Sequence, residues 1–197
     1  MLYIYGDSHA KFLFSRIQIP GVVNSTAGIT MHRIGRDNLI ISWDDTHHNH
    51  DTMLCFVYGE IDCRHHIKRQ IDKGRDEDEV IHTLVNAYIE TIRNNIREYR
   101  QVYIIGVVPT TSQADFDYIH GTNHGFLFSG TESERVRYTQ KINDALYALC
   151  VKYGYIFVAP YDFYTDVNGC LIRKYSDGGV HIRNNAHFLD YFMRTRR

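Results

Sequence analysis

Three short runs of the chain are apolar at nearly every position: Leu2 to Tyr5 (LYIY), Met53 to Tyr58 (MLCFVY) and Val102 to Val108 (VYIIGVV). A strand with one wet face alternates apolar and polar residues. A strand covered on both faces does not. Between these runs the pattern changes to a helical period. Val80, Leu84, Ala87, Tyr88, Thr91, Ile92 and Ile96 recur at i, i+3 and i+4 and predict a helix from Glu79 to Tyr99. Thr131-x-x-Glu134 fits a capping box, and Val136, Ile142, Ala145, Leu146 and Leu149 give the helix it opens an apolar face. Buried strands alternating with helices imply βαβ units, and so an α/β fold with a parallel sheet covered by helices on both faces. Gly21 to Asn24 and Tyr155 to Ala159 read as further strands, for about five in all.

Between these elements the reading is coarser. His9 to Ile17 is a short helix stopped by Pro20-Gly21. Ile29 to Ile34 reads as alternating, extended chain, and Leu39 to Trp43 as an apolar run. Ile67 to Asp78 reads as a loop with a helical turn. Thr110 to Gly130 reads as a long loop or small insertion, of a length that suggests function or mobility. Asn168-Gly169 signals a hairpin, and Asn184 or Asn185 caps a terminal helix, Ala186 to Met193.

A chain of 197 residues is expected to form one domain, large enough to bury a core without disulfides or metal. The net charge of -1, with no long block of either sign, argues against a nucleic-acid or membrane-surface partner. No stretch approaches 18 apolar residues, and residues 1 to 10 lack the basic and apolar regions of a signal peptide. The expected location is cytoplasmic. The four cysteines, Cys55, Cys63, Cys150 and Cys170, have no zinc spacing. Cys55 and Cys150 sit in apolar segments as core thiols, which suits a reducing compartment. No cofactor is expected.

In open parallel sheets ligands bind beyond the carboxyl ends of the strands. Four sequence features fall there: Ser8 after the first strand, Gly28 after the second, Gly59 to Asp62 after MLCFVY, and His181 after the last. A serine hydroxyl needs a base to take its proton, usually a histidine oriented by a carboxylate. His181, in a glycine-flanked loop, could supply the base, and Asp177, four residues earlier, could hold its tautomer. Backbone N–H groups of Ser8 and Gly28, with donors after Gly59, are candidates for an oxyanion hole. Blander roles exist for each: Ser8 as a helix cap, Asp177 as a turn former, Gly28 as an ordinary turn glycine and His181 as a loop histidine without a role.

In these blocks the sequence resembles the SGNH (GDSL-like) hydrolases. Gly6-Asp7-Ser8-His9 matches the first block and Gly28 the second. Gly59-Glu60-Ile61-Asp62 matches the third, usually Gly-x-Asn-Asp, and Asp177 to His181 the fifth, usually Asp-x-x-His. The order and spacing span nearly the whole chain. The resemblance implies a flavodoxin-like three-layer α/β/α fold. It also implies metal-independent ester hydrolysis through Ser8, His181 and Asp177, on a small-molecule or glycan O-acyl ester. Acyl transfer to another hydroxyl is possible where water is excluded. Two positions depart from the pattern. Ile61 stands where the family has its oxyanion asparagine, so either backbone donors suffice or Arg64 or His66 substitutes. Asp177 lies four residues before His181 rather than three. Either the extra glycine is absorbed as a bulge, or His181 works in a dyad oriented by a carbonyl.

Two other classes of function compete. Asp7-x-His9 has the spacing of a two-metal phosphoesterase site. A non-catalytic binding module on the same fold would suit Ile61. Arg64 also reads as an ion-pair partner of Glu60 or Asp62. His47-His48-Asn49-His50-Asp51 looks like a metal cluster, but adjacent histidines in a polar loop rarely close a site.

Overall fold

The computed structural model describes residues 1–38, 52–96, 101–123, 125–126 and 128–196. The apolar run at 39–43 and the histidine-rich stretch at 47–51 lie outside them. Five strands form one sheet: β1 (Leu2–Gly6), β2 (Gly21–Ser25), β3 (Met53–Val57), β4 (Gln101–Ile105) and β5 (Ile156–Val158). Their order is β2-β1-β3-β4-β5 and every pairing is parallel. This is the flavodoxin-like doubly wound order. β1 sits inside the sheet, with Gly6 in register with Ser25 of β2 and Val57 of β3. The three strand ends that carry the first three sequence blocks therefore lie side by side.

The continuous apolar runs divide between two cores. Tyr3, Leu54, Phe56, Val102 and Ile104 point to one face. They meet α2 (Met31–Asp37), α4 (Glu77–Asn95) and α6 (Glu132–Tyr153). Leu2, Ile4, Cys55, Val57, Tyr103 and Ile105 point to the other, against α1 (Ser8–Leu13) and α8 (Ala186–Thr195). The alternation of side chains along a strand makes both layers from the same five-residue runs. Cys55 and Cys150 are core residues on opposite faces of the sheet.

The predicted helices form, with shifted ends. α4 starts at Glu77 because Asp76 caps it, its carboxylate accepting the Glu79 amide at 2.9 Å, and three acidic residues then fill the positive first turn. The Thr131–Glu134 capping box is present at the start of α6. Two segments differ from expectation. Residues 29–34, read as extended chain, instead run into α2 from Met31. Thr30 caps it, and the buried Asp62 carboxylate, arriving from beyond β3, accepts the amides of Met31 at 2.7 Å and His32 at 3.1 Å. Residues 62–71, read in part as loop, are helical throughout, as a π turn Asp62–His66 continued by α3 (Ile67–Ile71). The stretch from Thr110 to Gly130 contains α5 (Gln113–His120). Phe116 of α5 is buried against the rings of Phe126 and Phe128. The chain continues through α7 (Tyr161–Tyr164). A bridge between Thr165 and Leu171 then closes the turn at Asn168-Gly169.

Gly6 shows how tightly β1 and α1 are joined. A Cβ there would overlap the Ala10 Cβ and lie 2.7 Å from the Val57 carbonyl oxygen. Gly6→Ala is therefore expected to destabilise the protein by about 1–3 kcal/mol through overpacking. Thermal denaturation of the variant beside the wild type measures this.

Candidate active site

The chain leaves β1 through Gly6 and turns at Asp7, which is fully buried. Asp7 is the cap of α1: its Oδ1 accepts the His9 amide at 2.8 Å. Its amide donates to the Val57 carbonyl at 3.2 Å, and its carbonyl accepts the Ser25 hydroxyl at 2.6 Å. The turn is thus bolted to both neighbouring strand ends. Because Asp7 takes the capping role, the Ser8 hydroxyl is not spent on the helix. Ser8 opens α1, and first-turn amides have no intrahelical acceptor.

The Ser8 hydroxyl instead faces His181, with Oγ 2.9 Å from Nε2. His181 Nδ1 lies 2.8 Å from Asp177 Oδ2. Asp177 Oδ1 accepts the amides of Gly179 at 2.8 Å and His181 at 3.2 Å. The extra residue between acid and base is absorbed in this turn, where Gly178 has φ +91° and the Asp177 amide donates to the His181 carbonyl. Burial of Asp177 would raise its pKa, but the His181 side-chain bond, the two amides and the His181 charge outweigh it and hold the carboxyl down at about 2. An ionised carboxylate only accepts, so Nδ1 carries the ring proton and Nε2 is left to accept from Ser8. Phe12 of α1 stacks on the His181 ring, with centroids 4.1 Å apart and planes 10° apart.

The neighbouring blocks sort into different roles. Gly28 has φ +77° with open space where a side chain would be. Gly59, at φ +119°, is a packing glycine: a Cβ would fall 2.7 Å from Val107 and 2.9 Å from Met31. Asp62 ties the third block to the start of α2, as described. Its burial, then Asp7 and Glu60 nearby, raise its pKa to about 7 against the pull of its two amide bonds. Arg64 Nε donates to Glu60 at 2.8 Å, and its guanidinium lies over the Phe126 ring at 4.3 Å. His66 stacks on His32, centroids 4.0 Å apart, in a hollow between α2 and α4. Burial first, then His32, Arg69, His65 and Arg75, push its pKa down to about 4.

Thr111, His120 and Phe12 carried no signal in the sequence, and His9 stood out there only in the first block and as a possible metal ligand. Thr111 donates to the Gly179 carbonyl at 2.9 Å, and His120 Nε2 donates to the Gly178 carbonyl at 2.7 Å. The insertion around α5 thus braces the turn that holds Asp177. Phe12 and His9, on the first helix, both pack beside His181. The Asp7-x-His9 spacing of a two-metal site is present, but both ring nitrogens of His9 face protein oxygens, Asp7 Oδ1 at 3.1 Å and the Val180 carbonyl at 3.2 Å. Among the described residues no group of three or more His, Cys, Asp or Glu is placed to hold a metal ion. No described helix is long and apolar enough to cross a membrane.

No family model and no curated protein matches the sequence. Solved structures do match the fold. A GDSL-like lipase from Bacteroides thetaiotaomicron is 12% identical with a TM-score of 0.59, over 99% of this chain and 85% of that one. A member of the lipolytic G-D-S-L family from Veillonella parvula is 17% identical with a TM-score of 0.52, over 99% and 97%. A catalytic mutant of an acetylxylan esterase from Geobacillus stearothermophilus is 12% identical with a TM-score of 0.53, over 98% and 92%. The three-layer α/β/α fold of the GDSL-like esterases is therefore the fold of this chain.

Proposed function

We propose that the protein is a serine esterase that cleaves an O-acyl ester, with Ser8 as nucleophile, His181 as base and Asp177 as the group that orients it. The observation that carries this reading is the unbroken chain from Ser8 Oγ through His181 to Asp177, at 2.9 Å and 2.8 Å, on a turn where Asp7 relieves Ser8 of capping. Ser8 Oγ attacks the acyl carbonyl carbon as its proton passes to His181 Nε2. The tetrahedral intermediate collapses, and His181 returns that proton to the departing alcohol, leaving an acyl-Ser8 ester. Water, deprotonated by the same nitrogen, then attacks the acyl carbon, and the proton goes back to Ser8 Oγ as the acid leaves. A hydroxyl in place of that water would make the reaction an acyl transfer.

The oxyanion falls to backbone donors in this scheme, the amides of Ser8 and Gly28 with support near Gly59. Ile61 has no side-chain donor, and Arg64 is engaged with Glu60. A site lacking one such donor runs on the order of 100–1000-fold slower, so turnover is expected at the slow end of the esterase range. The substrate tested first is an acetyl ester, including a carbohydrate acetyl ester such as one of the fold neighbours takes. Incubation with a fluorophosphonate followed by peptide mapping should modify Ser8. Hydrolysis of p-nitrophenyl acetate should proceed unchanged in EDTA. Label on another residue, or activity on p-nitrophenyl phosphate that EDTA removes, overturns the reading. So does tight ligand binding with no turnover of any ester.

A further inference from the structure

His9 is 2% exposed and sits beside the site without belonging to the chain from Ser8 to Asp177. Its ring centroid is 4.7 Å from that of His181. Its two nitrogens face two oxygens, Asp7 Oδ1 and the carbonyl of Val180, the residue that precedes His181. A carbonyl only accepts. Asp7 Oδ1 accepts the His9 amide, and as a carboxylate oxygen it accepts from the ring as well. Both nitrogens must then donate, and a histidine that donates from both is an imidazolium. The surroundings suit a buried cation. Glu60, Asp7 and Tyr58 line one small hollow with His9. Asp7 Oδ2 and Glu60 Oε2 are buried there without a hydrogen-bond partner among the described residues.

We propose that His9 is a positioning residue for the site: as an imidazolium clamped between the Asp7 carboxylate and the Val180 carbonyl, it fixes the backbone from which His181 reaches Ser8. This rests on the reading of Ser8 and His181 as nucleophile and base. The clamp joins the Ser8 turn to the His181 loop directly, since Asp7 precedes the nucleophile by one residue and Val180 precedes the base by one. Burial alone would lower the His9 pKa. The charge of Asp7 and its hydrogen bond, then Glu60 and the Val180 carbonyl, outweigh burial and raise it to about 9. A histidine with a raised pKa gives its stabilisation in full below its unfolded value, near 6.5, and loses it as pH climbs through about 9. The groups facing it are Asp7, Glu60 and Tyr58 from the strand ends and His181 from the last loop. Above that pH one ring nitrogen becomes an acceptor opposed to an acceptor, and one side of the clamp opens.

Three variants and two kinds of readout test this. His9→Leu keeps the volume but donates nothing. It should lower kcat about 100-fold with KM within about twofold, as a base displaced by about 1 Å would. His9→Gln can still donate to Val180 and should recover at least about a tenth of the wild-type kcat. The wild type should lose activity as pH rises through about 9, and His9→Gln should lack that fall, because it has nothing to titrate. Nitrogen-15 NMR of the histidine rings should show both nitrogens of His9 protonated at pH 7, titrating near pH 9, in the wild type and in Ser8→Ala alike. The His181 ring signals should move in His9→Leu. The NMR arms hold even for a protein that cleaves no ester, so failure of the esterase reading leaves them standing. A neutral His9 at pH 7 overturns the proposal. A folded His9→Leu enzyme with wild-type kcat, wild-type pH profile and unmoved His181 signals also overturns it.

Discussion

Ser8→Ala is expected to reduce kcat for p-nitrophenyl acetate by about 10⁵-fold or more, and His181→Ala by a similar factor, with both variants folded and Ser8→Ala as heat-stable as the wild type. The size follows from how the two atoms work together. The serine is a poor nucleophile without its base, and the base has no proton to take without the serine. Removing either therefore costs about as much as removing both. The double variant should be little slower than either single one, and this non-additivity separates a working pair from two independent contacts. Stability should hold because the Asp7 carboxylate, and not the Ser8 hydroxyl, caps α1. Steady-state kinetics on the three variants, with melting curves as the control, settle the matter. Activity that survives Ser8→Ala would place the chemistry elsewhere.

The second large effect is at Asp177. Asp177→Asn should lower kcat by about 10³–10⁴-fold, although it changes one atom. Oδ1 of Asp177 accepts the Gly179 and His181 amides, while Oδ2 accepts the ring Nδ1–H. An asparagine that keeps its oxygen on the two amides turns its NH₂ toward Nδ1. That nitrogen must then accept, the ring proton moves to Nε2, and the ring can no longer take a proton from Ser8. The variant should bind substrate normally, so the loss belongs to kcat and not to KM. Fluorophosphonate labelling of Ser8 should slow in parallel. An Asp177→Asn variant within tenfold of wild type would favour a dyad oriented by a backbone carbonyl.

The sequence is most informative where a physical requirement is local. LYIY, MLCFVY and VYIIGVV read as doubly buried strands because each residue of a central parallel strand must face one core or the other. The Thr131–Glu134 box reads as a helix start because both its hydrogen bonds close within four residues. α2 does not show in the spacing because what stabilises its start, the Asp62 carboxylate on the amides of Met31 and His32, comes from 31 and 30 residues away. α5 was missed because residues 110–130 carry no helical period, and its buried Phe116 finds its partners only in the fold. The site shows the same division. Ser8 stands out as a polar residue at a strand end, and Asp177 and His181 as an acid and a histidine four residues apart in a glycine-rich loop. The braces behind them, Thr111 and His120 on the Asp177 turn and His9 on Val180, join positions 68, 58 and 171 residues apart and leave no mark on spacing.

The Ser8–His181 hydrogen bond spans 173 residues, and this has a consequence in time as well as space. Synthesis runs from N to C, so Ser8 emerges before His181, on a strand that must wait inside the sheet for neighbours on both sides. His181 follows 173 residues later. A nascent chain holding β1 through β5 can bury much of its core and still has a serine with nothing to take its proton. On the proposed mechanism the Ser8 hydroxyl therefore stays inert until the loop that carries His181 lies down over the completed sheet.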